Sequence, residues 1–209
     1  MKIAWSLLTL LLVGSLFYLN RPQASAPAGN QSSDSRQAST SDHRLAQSMQ
    51  AKLDHIRANS EREHPDQTPT VLTEEEINDY LASNHVQLPQ GVKKVRLEGR
   101  SGVVDAFVNV DFDEIRGGQR SANPLLSLFS GRHDVRLQAD AAGSGGQGKV
   151  HVRRVSIDGI DVPQIALQYF VEKYITPKYP NVGIDSTFQM PNKIDVATVN
   201  YHKLTLTQK

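Results

Sequence analysis

Residues 104–113 read VDAFVNVDFD. Val104, Ala106, Val108, Val110 and Phe112 alternate with Asp105, Phe107, Asn109, Asp111 and Asp113. That is the period of two by which a strand buries one face and wets the other. The pattern recurs outward in both directions. Val95 and Leu97 alternate with charges before it, and Val135, Leu137, Ala139 and Ala141 repeat it afterwards. Val150 and Val152 follow, and Val155 and Ile157 resume the alternation out of phase, which predicts a bulge at Arg153 and Arg154. Phe188 and Met190 precede a turn at Pro191-Asn192, and Ile194, Val196, Leu204 and Leu206 read as one long closing strand. Alternation joined by short turns predicts antiparallel pairing.

Helical signals interrupt these strands, so the class is α+β. Thr73-Glu74-Glu75-Glu76 is a capping box, in which the Thr73 hydroxyl accepts the amide of residue 76 and the Glu76 carboxylate reaches back. Ile77, Tyr80 and Leu81 form the apolar face of the short helix that follows. A helix start also accounts for three consecutive glutamates, because acidic residues suit the positive end of the helix dipole. Residues 123–129 (NPLLSLF) read as a short, unusually apolar capped turn. Residues 161–176 (DVPQIALQYFVEKYIT) read as an amphipathic helix with Pro163 near its first position and Pro177 as terminator. Ile165, Leu167, Tyr169, Phe170, Tyr174 and Ile175 cover much of its circumference, so sheet must wrap it or it must lie against something greasy.

Upstream the texture differs. Residues 3–19 (IAWSLLTLLLVGSLFYL) are uncharged and long enough for a signal anchor or signal-peptide core, so residues 1–21 are expected to export the rest of the chain. Residues 22–42, rich in Ser, Ala, Gln, Pro and Gly, read as a disordered linker. Residues 43–64 carry Leu45, Met49, Leu53 and Ile56 on one narrow helical stripe, which would dock on the domain, pair with a partner helix or stay marginal. Pro65 and Pro69 mark the boundary of a folded domain expected over residues 71–209.

Composition excludes several chemistries. With 23 basic against 22 acidic residues, the chain lacks the basic excess from which nucleic-acid binders draw affinity. No cysteine is present, which removes disulfides, thiolate nucleophiles and cysteine-based zinc sites. Residues 143–148 (GSGGQG) match G-x-G-x-x-G but feed a strand, whereas a dinucleotide loop opens a helix, so they read as a flexible hairpin turn. Residues 111–114 (DFDE) resemble the start of a calcium loop, but Arg116 stands where its glycine belongs and Ala122 where its bidentate acid belongs. His85, His133, His151 and His202 would bind a metal only by converging in space. Neither catalytic residues nor a cofactor are expected.

Leu72 to Asn78 (LTEEEIN), residues 155–163 (VSIDGIDVP) and the closing strands around Met190-Pro191 follow one another in a telling order. On these motifs the chain from Val71 onward resembles the small extracytoplasmic lipid-envelope proteins of the tubular lipid-binding (TULIP-like) type, similar to the mycobacterial lipomannan-associated family. It implies a curved antiparallel sheet wrapped around one amphipathic helix, with an apolar groove for a lipid or glycolipid. On that basis Leu125, Leu126, Phe129, Leu167, Phe170 and Tyr174 are the groove candidates. The expected function is therefore non-catalytic lipid binding or shuttling at the periplasmic or outer surface, with the membrane met through residues 3–19. The alternative is an envelope scaffold that binds protein partners through a sheet edge or the Leu45 to Ile56 stripe around a dry core. A third expectation, weaker in motif, is an anchored hydrolase using the Asp111 and Asp113 carboxylates.

Overall fold

A computed structural model describes residues 36–83, 86–118 and 124–209, with side chains from residue 44 onward and without that of Leu125. The expected apolar span at residues 3–19, most of the expected linker and His85 lie outside the described residues. Elements run α1 (Arg36–Ser60), β1 (Thr70–Thr73), α2 (Glu74–Ala82), β2 (Val92–Arg100), β3 (Val103–Asp111) and a single turn α3 (Phe112–Ile115). A 3-10 turn (Pro124–Leu126) leads to β4 (Arg132–Ser144), β5 (Gln147–Ile157) and β6 (Ile160–Asp161). Helix α4 (Gln164–Phe170) continues as a π turn (Val171–Ile175), and β7 (Asp185–Gln189), β8 (Ile194–Asn200) and β9 (Lys203–Gln208) close the chain.

All nine strands belong to one antiparallel sheet with a few helices, ordered β1-β9-β8-β4-β3-β2. β5 lies along the other edge of β4 and carries β6 and β7. β4 therefore has three partners. It pairs β3 over Arg132 to Asp140, then meets β8 at Ala142 and Gly143 on the same edge. A side chain at Gly143 would stand 2.6 Å from Met190 Sδ and 2.8 Å from the Ala197 methyl, so only glycine lets these strands meet. The G-x-G-x-x-G loop is thus the β4–β5 hairpin: Gly145 and Gly146, at φ 59° and 77°, form its two-residue turn. The predicted bulge falls at Arg153, where the β4–β5 register steps from Gln138–Arg154 to Ala139–Val152.

The capping box forms as read, with Glu76 N–H donating to Thr73 Oγ1 at 3.2 Å and Thr73 N–H to Glu76 Oε2 at 2.9 Å. Glu76 does more than cap. Ser48 Oγ donates to it at 2.6 Å and Lys52 Nζ at 2.7 Å, so it bolts α1 onto α2. Burial pushes this carboxyl up, but the Lys52, Ser48 and Thr73 hydrogen bonds outweigh burial and hold it below the ordinary range.

Three expectations need correction. Helix α1 begins at Arg36, inside the segment read as linker. Its stripe docks on the domain, where Met49, Leu53 and Ile56 join one core with Leu72, Leu81, Leu97, Val199 and Leu206. The core therefore extends upstream of residue 71. The long closing strand is a hairpin, β8–β9, turned at Tyr201 and His202, with His202 at φ 53°. No glycine or proline signals that turn, because α2 holds it: Glu74 N–H donates to His202 O at 2.9 Å, and His202 Nδ1 lies 2.9 Å from Glu74 Oε2. Phe112 continues the alternation but starts a helical turn, since Asp111 accepts the Glu114 amide as an N-cap. Helix α4 buries Ala166 and Phe170 and leaves Ile165 70% exposed.

Candidate functional site

A second core cluster occupies the far end of the same sheet face. Its centre is aromatic. Phe129 stacks on Phe170 with centroids 4.2 Å apart, and Phe112 meets both edge-on at 5.5 and 5.6 Å. Tyr174 lies 5.3 Å from Phe170, and Leu126 is buried beside them. Edge-to-face and offset contacts suit the ring quadrupole and add to area burial.

Between this cluster and the α1–α2 cluster lies an apolar groove of about 150 Å³. Ala106, Val108 and Val110 of β3 form its floor with Val135 and Leu137 of β4, and Val152 and Val155 of β5. These are the inward positions of the alternation, brought side by side by the register Ala106–Leu137–Val155. Leu167, Phe170, Val171 and Ile175 form one wall, and Phe112, Ile115 and Phe129 close one end. The lining is almost entirely carbon.

The predicted groove residues divide accordingly. Phe129, Leu167 and Phe170 line the groove. Leu126 and Tyr174 belong to the packed cluster behind it, and the Leu125 side chain lies outside the described residues. Leu126 and Phe129 act as a plug, with Leu128 at the surface. Sequence reasoning missed Ile115, Val182 and Ile184 as lining residues. Only Ile115 had a usable signal, in the i, i+3 spacing from Phe112 once the helical turn is recognised.

The plug is tied down by His133. Its Nδ1 lies 2.5 Å from Asp158 Oδ2 and its Nε2 2.6 Å from Ser130 O. Both ring nitrogens face acceptors, which favours the imidazolium, and the Asp158 hydrogen bond leads in raising the pKa above its ordinary 6.5. A raised pKa contributes stability that is complete below about pH 6.5 and is lost as pH climbs through the higher folded value. Melting midpoints should accordingly fall as pH rises above 6.5. His133→Asn should flatten that decline, and a wild-type profile that is level from pH 6 to 9 would contradict the assignment.

Other sequence candidates do not assemble. His151 pairs with Asp185 at 2.6 Å and His202 with Glu74, so His133, His151 and His202 each face a separate carboxylate. Asp111 caps α3 and Asp113 pairs with Arg116. Among the described residues no cluster of three or more His, Cys, Asp or Glu is arranged to hold a metal. No described helix is long and apolar enough to cross a membrane. No protein-family model, curated protein or solved structure matches the chain.

Proposed function

We propose that this chain binds a single apolar chain of a lipid or glycolipid, without catalysis, in the groove between the sheet and α4. The observation that carries the reading is a carbon-lined groove left open between two well-packed clusters on one sheet face. Its size sets the ligand. About 150 Å³ is well below the ~300–1,000 Å³ of sites that engulf a whole drug-sized molecule. A dry apolar space of that order takes a benzene-sized body. The terminal few carbons of one acyl or prenyl chain fit it, with the rest of the chain and the head group left outside. In this reading the sheet curls around α4 as the principal groove helix. Val171 and Ile175, which bound the π turn, both line the groove, and such turns concentrate at functional sites.

Membrane attachment through residues 3–19, with the domain outside the cytoplasm, places the groove near its ligand. Ile160 of β6 and Ile165 of α4, 65% and 70% exposed, and the half-exposed Tyr169 of α4 are apolar side chains facing solvent and suit contact with that membrane. The scaffold alternative has less surface to use. The Met49 to Ile56 stripe is buried, and the β2 edge is covered where Asn78 exchanges hydrogen bonds with Leu97 at 2.7 and 2.8 Å.

Residues 36–209, purified and analysed by native mass spectrometry, should retain an endogenous single-chain lipid or take up added palmitate in a one-to-one ratio. Leu167→Trp, which fills the groove, should abolish uptake. A bare polypeptide mass that stays bare with palmitate and with lysophospholipid would remove the proposal.

A further inference from the structure

The opposite face of the sheet carries a second, chemically different concavity of about 910 Å³. Its floor is the outward phase of the same alternation, with Arg96, Phe107 and Arg136 side by side across β2, β3 and β4. The two guanidiniums lie over one ring, with Arg96 Cζ 4.5 Å and Arg136 Cζ 5.2 Å from the Phe107 centroid. Carboxylates fix both arginines from the side: Arg96 bonds Glu98 at 2.5 Å, and Arg136 bonds Asp105 Oδ1 at 3.1 Å. Asp105 sits on the polar face yet is only 1% exposed, because Arg100, Arg136 and Gln138 all donate to it. A buried carboxylate saturated by donors is a rigid peg. It holds Arg136 in place and leaves the rest of each guanidinium fork for a ligand.

The chemistry of the lining narrows what that ligand is. Lys94, Arg96, Arg136 and Arg154 are offset by Asp105, Asp134, Asp158 and Asp161. A lining of balanced charge disfavours a polyanion such as nucleic acid, which draws its affinity from many unopposed cations. Fixed guanidinium forks do favour one planar carboxylate. Asn109, Gln138 and Ser156 add amides and a hydroxyl that both donate and accept, as sugar hydroxyls require. Two guanidiniums already lie over the Phe107 ring, so the site offers an apolar ligand little. The volume lies near the upper end of small-ligand sites and has room for about two or three sugar rings. We infer that this face binds an acidic saccharide, its carboxylate on Arg96 and Arg136 and its hydroxyls on Asn109, Gln138 and Asp134.

The inference is independent of the lipid reading, because the two concavities lie on opposite faces of the sheet. The full chain in detergent micelles is titrated calorimetrically with cellobiouronic acid, with cellobiose as its neutral counterpart, and with inorganic phosphate. The acid should bind at least about tenfold more tightly than cellobiose, the worth of one charge-assisted hydrogen bond. Arg96→Gln, a half-exposed position, should bring the acid down to the cellobiose level with an unchanged melting midpoint. Leu167→Trp should leave the titration unaltered even if it abolishes palmitate uptake. Equal binding of acid and cellobiose, no binding of the acid, unchanged affinity in Arg96→Gln, or phosphate binding as tightly as the disaccharide would overturn it.

Discussion

A chain that starts at residue 65 will not fold cooperatively, although it contains every strand. Met49, Leu53 and Ile56 of α1 are at most 1% exposed and touch the sheet core directly. Burying each contributes about 1.5–3 kcal/mol, so the three together supply about 5–9 kcal/mol. Whole domains of this size are stable by only about 5–15 kcal/mol. Removal also strips polar partners. Gln208 loses the buried Asn59 amide at 2.8 Å and the Ile56 carbonyl at 2.8 Å, and Glu76 loses Ser48 and Lys52. Those vacated groups then remain beside an exposed apolar sheet face. Urea titration followed by circular dichroism should give one sharp transition for residues 36–209 and none for residues 65–209. Leu53→Ala within the longer chain should cost about 3 kcal/mol. A shorter chain that unfolds cooperatively within 1 kcal/mol of the longer one would show that α1 is an accessory.

Phe170→Ala is expected to cost about 4 kcal/mol, the largest effect of any single substitution in the second cluster. Phe170 sits among Phe112, Phe129 and Tyr174, and its ring also forms part of the groove wall. Truncation removes the stacking partner of Phe129 and opens the cluster to the groove, so the walls have little freedom to collapse. The midpoint of urea denaturation should fall with little change in slope, and Phe170→Leu should recover most of the loss. If Phe170→Ala cost less than about 1 kcal/mol, the aromatic cluster would be too loose to hold α4 and the shape of the groove would be lost with it.

The alternation that begins at Val104 carries both faces of the candidate sites. Ala106, Val108 and Val110 floor the apolar groove, and Asp105, Phe107 and Asn109 floor the polar one. Parity alone made that division legible, as the phase slip after Val152 made the bulge legible. What misled the reading was continuity of pattern across a break. Phe112 keeps the alternation although Asp111 has already capped a helical turn, and Val196 to Leu206 keep it across a reversal. Neither break carries glycine or proline: Asp111 caps the first from within the segment, and Glu74 of α2 holds the second from outside it.

Sequence by itself determined the antiparallel pairing, the capped start of α2, the hairpin at Gly145-Gly146 and the apolar character of α4, since each depends on residues within a few positions of one another. Tertiary structure alone decided that α1 completes the core, that α2 turns the β8–β9 hairpin, and that Leu126 and Tyr174 pack behind the groove while Leu167 lines it. The physical reason is range. Period and capping act along the chain, whereas the junction of β4 with β8 at Gly143 and the three donors around Asp105 join residues that only the folded register brings together.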